Sequence, residues 1–125
     1  MSNVSKGQSK ELLCRKELEK DGWTIVFKSI RTRWGSYDLA DLFDVVAIKI
    51  IADNFTKFPI WKLISVKNYA SFKNLPQHQE EIENFKNSYG LSGMVYELWL
   101  WSKARWVGRG KNKHWQDAQW VKKVI

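Results

Sequence analysis

Two charged residues stand at the ends of apolar runs, where their types and spacing suit phosphoryl chemistry. Asp44 comes directly before the run VVAI, and Lys67 ends the run IWKLISVK. A carboxylate binds hard cations such as Mg²⁺, and a nearby lysine can orient an attacking water molecule or stabilise the charge of a phosphoryl transition state. Placed side by side, these two residues are the minimum that cutting a phosphodiester requires.

Two neighbouring strands must position these residues. The segments 43–51 and 60–67 are rich in β-branched and aromatic residues, and a polar turn that ends in proline separates them. Alternation predicts that the strand at 60–67 carries Leu63, Ser65 and Lys67 on one face and Ile64 and Val66 on the other. If the strands pair as a meander, Asp44 and Lys67 come to the same edge of the sheet, where Glu11 of a preceding helix joins them.

The remaining elements give the order helix, three strands, helix, strand. A helix is predicted over 5–21, with Glu11 on the edge of an apolar stripe formed by Leu12, Leu13, Cys14 and Leu18. The segment 23–30 reads as a strand, and Gly35-Ser36 marks a turn after it. A second helix runs from Pro76 to Gly90, and the strand at 93–101 is apolar on both faces, as a central strand is.

The composition favours one compact domain with a polyanionic partner. A chain of 125 residues can bury a hydrophobic core without the help of disulfides or structural metal ions. Its single cysteine, Cys14, cannot form an internal disulfide. The formal net charge of +8 favours nucleic acid over an acidic small molecule. The N-terminus lacks the apolar core of a secretory signal, and no apolar run is long enough to span a membrane. We therefore expect an intracellular, cytoplasmic protein with no membrane partner.

The C-terminal segment 102–125 is an extension of different composition. It carries seven Lys and Arg residues against one acid, Asp117, with Trp106, Trp115 and Trp120 interleaved. The sequence GRGKNK, 108–113, is typical of a hairpin tip or of a loop between short strands. Aromatic faces can stack on exposed bases, although we expect at least one of these tryptophans to pack on the sheet instead.

Taken in order, these segments resemble the PD-(D/E)xK nuclease superfamily, most closely its small archaeal-type and viral Holliday junction resolvases. The resemblance covers residues 6 to about 101 and rests on KGQSKELLCRKELEKDGW, a strand, a turn with GS, then DVVAI, and a strand that ends in an acid-x-Lys position. It implies an α/β fold with a restriction-endonuclease-like core, in which helices flank a central mixed four-stranded sheet in the order αβββαβ. The core at 6–101 and the basic C-terminal extension at 102–125 would form a single domain, 1–125.

The resemblance also implies roles for individual residues. Asp44 and the backbone carbonyl of Val66 would bind Mg²⁺ or Mn²⁺, Glu11 would complete the metal shell, and Lys67 would orient the water molecule. Contacts to DNA are expected from Ser36 of the glycine-serine turn and from the cations Lys6, Arg31, Arg33, Lys103, Arg105, Arg109, Lys111 and Lys113.

The sequence departs from the family pattern at the metal site. Phe43 replaces the proline that normally precedes the aspartate, and Ser65 stands where the family has a second acidic ligand. Certain restriction endonucleases of the superfamily also have Ser-x-Lys and take the missing carboxylate from the following helix, where Glu81 is the candidate here. Gln79 matches a glutamine that supports the site in relatives, whereas His78 fits the apolar stripe of that helix better, and the sequence does not separate the two.

These features predict an Mg²⁺-dependent endodeoxyribonuclease that cuts branched DNA as a homodimer, since a four-way junction needs two cuts related by a dyad. The alternative is a nucleic-acid-binding protein of the same fold whose cutting activity is weak or lost, which Ser65 favours. A third interpretation is an unrelated α/β interaction module with a basic surface, in which Asp44, Lys67 and Glu11 are ordinary solvated or ion-paired residues. If the chain is viral, its compartment is the host cytoplasm.

Overall fold

Two α-helices, a short 3-10 helix at Gly110–Asn112 and nine strands form within the part of the chain that the computed structural model describes, which is residues 3–32, 35–37, 39, 42–68, 75–90 and 92–125. The α-helices are α1, Asn3–Lys20, and α2, Leu75–Tyr89. The strands are β1 Thr24–Lys28, β2 Ile30–Thr32, β3 Gly35–Tyr37, β4 Val45–Ala52, β5 Lys57–Asn68, β6 Met94–Ser102, β7 Arg105–Val107, β8 His114–Gln116 and β9 Gln119–Val124. Neither of these helices has the length and apolarity that crossing a bilayer requires.

A five-stranded mixed sheet in the order β1-β4-β5-β6-β9 is the centre of the fold. β4 pairs antiparallel with β1 and β5, β6 runs parallel to β5, and β9 runs antiparallel to β6. The α/β class and the mixed sheet confirm the prediction, but the sheet has five strands and not four. The additional strand, β9, comes from the basic extension and pairs with the edge of β6 that would otherwise leave its backbone groups open.

One helix packs on each face of this sheet. On one face, Cys14 and Leu18 of α1 form the α1-side cluster with Val45, Ala47, Ile64, Val66 and Trp99. On the other face, Ile82 of α2 forms the α2-side cluster with Phe43, Val46, Leu63, Tyr96, Leu98 and Leu100. Because Leu63 belongs to one cluster and Ile64 and Val66 to the other, the alternation predicted for β5 is confirmed.

Helix α1 buries a narrower stripe than the one predicted. Glu11, Cys14 and Leu18 are 3%, 0% and 1% exposed, whereas Leu12 and Leu13 are 43% and 40% exposed. Residues spaced i, i+3 and i+7 share a helix face, while the intervening positions turn away from it. The carboxylate of Glu11 is therefore inside the protein and not on the edge of the stripe, and including Leu12 and Leu13 in the stripe was wrong.

The predicted turn at Gly35-Ser36 is part of a strand. Gly35 pairs with Thr32, and Ser36 pairs with Arg31, in the two-stranded β2–β3 hairpin. The prediction of a turn at these two residues is therefore wrong, and the predicted DNA contact Arg33 lies outside the described residues.

Candidate functional site

Asp44 lies directly before β4, between the ends of β1 and β5. Its backbone N–H donates to the carbonyl of Ile64 at 2.9 Å, and its carbonyl accepts from the N–H of Ser29 at 2.8 Å. Phe43, the residue before it, is fully buried, with its ring centroid 5.1 Å from that of Phe85 on α2. Phe43 therefore anchors the backbone from which the Asp44 side chain projects.

The Asp44 carboxylate is joined to the backbone of the SVK segment. It is 3% exposed, and its Oδ2 accepts a hydrogen bond of 2.7 Å from the N–H of Val66, between Ser65 and Lys67. Its Oδ1 accepts a longer bond, 3.3 Å, from the hydroxyl of Ser29. Charge-assisted bonds of this kind offset part of the cost of burying a carboxylate. The structure thus brings together the two segments that the sequence analysis singled out.

The charge of Asp44 also acts on helix α1. Burial raises the pKa of the Cys14 thiol well above its ordinary value, and the next largest cause is the negative charge of Asp44, followed by that of Glu17. A thiol in such surroundings stays protonated and behaves as a small apolar group. Cys14 is therefore part of the packing behind Asp44 and not a nucleophile.

Ser65 and Lys67 lie on the strand face that α2 covers. Ser65 is 3% exposed and Lys67 is half-buried. The pKa of His78 on α2 is lowered, first by burial and then by the positive charge of Lys67, while the charge of Glu81 acts in the opposite direction. The charge of Lys67 therefore acts on the N-terminal half of α2, in agreement with its position on the α2-facing side of β5.

The position of Lys67 predicts a measurable change at His78. Replacing Lys67 by methionine should raise the pKa of His78, because a nearby positive charge that opposes protonation is removed. The Glu81→Gln variant is the matched control and should lower the same pKa. Both values can be read from the imidazole proton shifts in an NMR titration. An unchanged His78 pKa in the Lys67→Met variant would contradict this placement.

The sign of this shift also fixes how His78 affects stability. A histidine with a lowered pKa binds a proton more readily in the unfolded chain than in the folded one. Its contribution to the free energy of unfolding is therefore greatest at pH values above its ordinary pKa and decreases as the pH falls through that range.

Glu11 reaches the same end of the sheet from the other face. Its neighbour Lys10 places its Nζ 4.5 Å from the ring centroid of Trp101, and Trp101 pairs with Asn68 at the end of β5. We call this end of the sheet, where β4 begins and β5 and β6 end, the site edge. Because Glu11 belongs to α1 while Lys67 lies beside α2, the two approach the site edge from opposite faces, which strand alternation alone did not predict.

Helix α2 holds the other predicted site residues. Gln79 is half-buried next to His78, and Glu81 is exposed, where its Oε1 accepts a hydrogen bond of 3.4 Å from the side-chain amide of Gln77. Of the two residues that the sequence left open, His78 interacts electrostatically with Lys67, whereas the amide of Gln79 carries no charge, so this interaction does not rank the two.

The oxygen donors at the site edge match the sparse ligand sets that Mg²⁺ uses. Among the residues that the structure describes, no three His, Cys, Asp or Glu side chains are placed to hold a metal together, so Glu11, Asp44 and Glu81 are not assembled as one set. Mg²⁺ usually binds through one or two carboxylates together with waters and substrate phosphates, and does not require a closed cage of side chains. The carboxylate of Asp44 and the backbone carbonyl of Val66 are hard oxygen donors on adjoining segments, and in that respect they fit Mg²⁺.

The predicted DNA contacts fall into two groups. Lys6 lies in α1, Arg31 in β2 and Ser36 in β3. The five predicted contacts in the extension are exposed and lie on or beside the β7–β8 hairpin: Lys103, Arg105, Arg109, Lys111 and Lys113.

A buried ion pair near the middle of the sheet was not predicted. Glu97 on β6 is 6% exposed, its Oε2 lies 3.1 Å from the Nζ of Lys62, and its Oε1 accepts a hydrogen bond of 2.7 Å from the indole of Trp99. The sequence signal for this pair was an acidic residue inside the apolar run MVYELWLW. A carboxylate can be buried at such a position only if a partner neutralises its charge. The contacts give this pair a structural role.

Comparison with known proteins adds no assignment to this geometry. Nothing among protein-family models, curated proteins or solved structures matches the chain. A function must therefore be supported by the residues themselves and by their arrangement.

Proposed function

We propose that this protein is an Mg²⁺-dependent endodeoxyribonuclease with a PD-(D/E)xK-like core that acts on branched DNA as a homodimer. The observation that supports this most is the buried carboxylate of Asp44, whose Oδ2 lies 2.7 Å from the backbone nitrogen of Val66, the residue directly before Lys67. A buried acid beside a lysine at adjoining strand ends suits phosphodiester hydrolysis better than it suits a surface that only binds.

Each residue of the site has a chemical role in this proposal. A magnesium ion bound by Asp44 and the Val66 carbonyl would act as a Lewis acid toward the phosphoryl group. The ammonium group of Lys67 stabilises the negative charge that develops on the phosphate, or orients the water whose oxygen forms the new bond to phosphorus. The attacking water gives up a proton to solvent, the bond from phosphorus to one of the bridging oxygens breaks, and that oxygen takes up a proton from solvent to leave as an alcohol.

A second candidate is a protein of this fold that binds DNA without cutting it. Three observations favour it: Ser65 carries no charge, Glu11 and Lys67 approach the site edge from opposite faces, and the Asp44 carboxylate already accepts two hydrogen bonds. The exposed cations at 103–113 would contact DNA under both candidates.

Cleavage in the presence of divalent metal separates the two candidates. Purified protein is incubated with end-labelled four-way junction, nicked duplex and single-stranded DNA in EDTA and across a titration of Mg²⁺ or Mn²⁺, while binding is measured in parallel. We expect binding in EDTA and cleavage that appears only with metal, because the charge at the site edge does not depend on the ion but the chemistry does. Binding without cleavage in either metal would overturn the nuclease proposal and support the second candidate. Absence of binding would overturn both.

A further inference from the structure

Two tryptophans of the β7–β8 hairpin expose more than half of their surface. Trp106 and Trp115 pair across the hairpin, with ring centroids 5.5 Å apart in an edge-to-face arrangement, and they are 58% and 52% exposed. Trp99 and Trp120, by contrast, pack in and against the α1-side cluster. Trp120 is thus the tryptophan of the extension that packs on the sheet, and the other two need another explanation.

Each of the two exposed rings has a polar contact that restrains its position. The indole N–H of Trp115 donates to Oδ1 of Asp117 at 3.0 Å, and the Nζ of Lys113 lies 5.5 Å from the ring centroid of Trp106. The turn that joins the strands requires glycine at position 108, where φ is +92° and a Cβ would lie 2.5 Å from the carbonyl oxygen of Asn112. Rings held in this way can bind a flat partner without first being ordered.

The charges around these rings are almost all positive. Residues 103–118, which we call the basic segment, contain five Lys and Arg residues and a single acid, Asp117. That acid already accepts the hydrogen bond from Trp115. Cations beside exposed aromatic faces are the combination with which proteins hold a nucleic-acid backbone and stack its bases.

The basic segment leaves the sheet at the site edge. It connects Ser102 of β6 to Gln119 of β9, and these two residues are paired with each other. In the parallel register, Lys67 pairs with Leu100 and therefore lies level with the end of β6. DNA that contacts the hairpin is thus bound on the same side of the molecule as Asp44 and Lys67.

From these observations we infer that Trp106 and Trp115 stack on unpaired bases, so that the substrate is DNA with single-stranded or unstacked nucleotides and not continuous duplex. The inference rests on the proposed function only in taking DNA as the partner. Base faces are available in single strands, at ends and at junctions, whereas in a duplex they are covered by their neighbours. The cations of the basic segment then contact phosphates, and its two tryptophans select DNA whose bases are exposed.

Binding measurements in EDTA test this inference without requiring cleavage. Fluorescence anisotropy gives the Kd of wild type for a labelled single strand, for the same sequence as a closed duplex, and for a single-stranded RNA of that sequence. Replacing Trp106 or Trp115 by leucine should weaken binding to single-stranded DNA by about 5- to 140-fold per ring, the range measured for loss of one stacked base, with a much smaller effect on the duplex. Phe55→Leu is the matched control, since Phe55 is an aromatic residue 94% exposed on the turn between β4 and β5, and its replacement should leave Kd unchanged.

A second pair of variants separates stacking from loss of the hairpin. Trp106→Phe and Trp115→Phe keep an aromatic face and should retain most of the affinity that the leucine variants lose. Leucine and phenylalanine variants that bind single strands equally well, or leucine variants that lose duplex and single-strand binding to the same extent, would overturn the stacking role while leaving the proposed function standing. Tighter binding of RNA than of DNA, or no binding of either by wild type, would overturn the choice of DNA and with it the proposed function.

Discussion

Replacing Lys67 by methionine is expected to lower the rate of Mg²⁺-dependent cleavage by about 10²- to 10³-fold, the size of effect seen when one group that stabilises transition-state charge is removed. Methionine preserves most of the apolar stem of lysine, so the packing of β5 on α2 should change little. Binding of DNA in EDTA should be nearly unchanged, because a single phosphate contact is a small part of the affinity of a chain with a formal net charge of +8. Single-turnover cleavage rates, with Kd measured separately, check this expectation.

Lys57→Met is the matched control for this experiment. Lys57 belongs to the same strand but lies at its opposite end, paired with Ala52 near the β4–β5 turn, and it is exposed. Its replacement removes the same charge and should leave the cleavage rate unchanged. Equal losses of rate in the two variants would mean that Lys67 acts only through the general charge of the protein. Asp44 is a less informative position for this purpose, because it also accepts the N–H of Val66 and its replacement changes stability as well as chemistry.

The sequence predicted the strands around Asp44 and Lys67 well because their signals are local. The apolar runs, the turn before Pro59 and the alternation along β5 are all contained within a few residues, and the antiparallel pairing of β4 with β5 follows from their short connection. Local patterns were therefore sufficient to place the acid and the SVK segment at one edge of a sheet.

The features that the sequence did not predict depend on distant partners. β9 is a short and basic strand, and only its pairing with β6 makes it part of the sheet. The approach of Glu11 and Lys67 from opposite faces depends on which helix covers which face, and the periodicity of a strand does not contain that information. The burial of Glu97 depends on Lys62, which lies on the parallel neighbour β5 and is separated from β6 along the chain by helix α2.

This buried pair carries the second large expected effect, which is on stability. The side chains of Lys62 and Glu97 are 17% and 8% exposed, so water screens their 3.1 Å contact only weakly. Replacing Lys62 by methionine leaves the Glu97 carboxylate in the α1-side packing with the Trp99 indole as its remaining hydrogen-bond partner among those described above. Breaking one side of such a pair costs about 3–5 kcal/mol, a large part of the roughly 5–15 kcal/mol by which a domain is stable.

Urea denaturation with a matched ion pair measures this effect. Lys122 and Glu17 form a contact of similar length, 3.2 Å, but their side chains are 38% and 37% exposed, and the Nζ of Lys122 also lies 4.3 Å from the Trp99 ring centroid, so Lys122→Met should cost about 1–2 kcal/mol, less than Lys62→Met. A Lys62→Met variant as stable as Lys122→Met would contradict the burial of the pair. In the double variant Lys62→Met with Glu97→Leu no charge is left without a partner, and most of the lost free energy of unfolding should return. Such a recovery would mean that the pair contributes little net stability, and that the loss in Lys62→Met comes from leaving the Glu97 carboxylate buried without its cation.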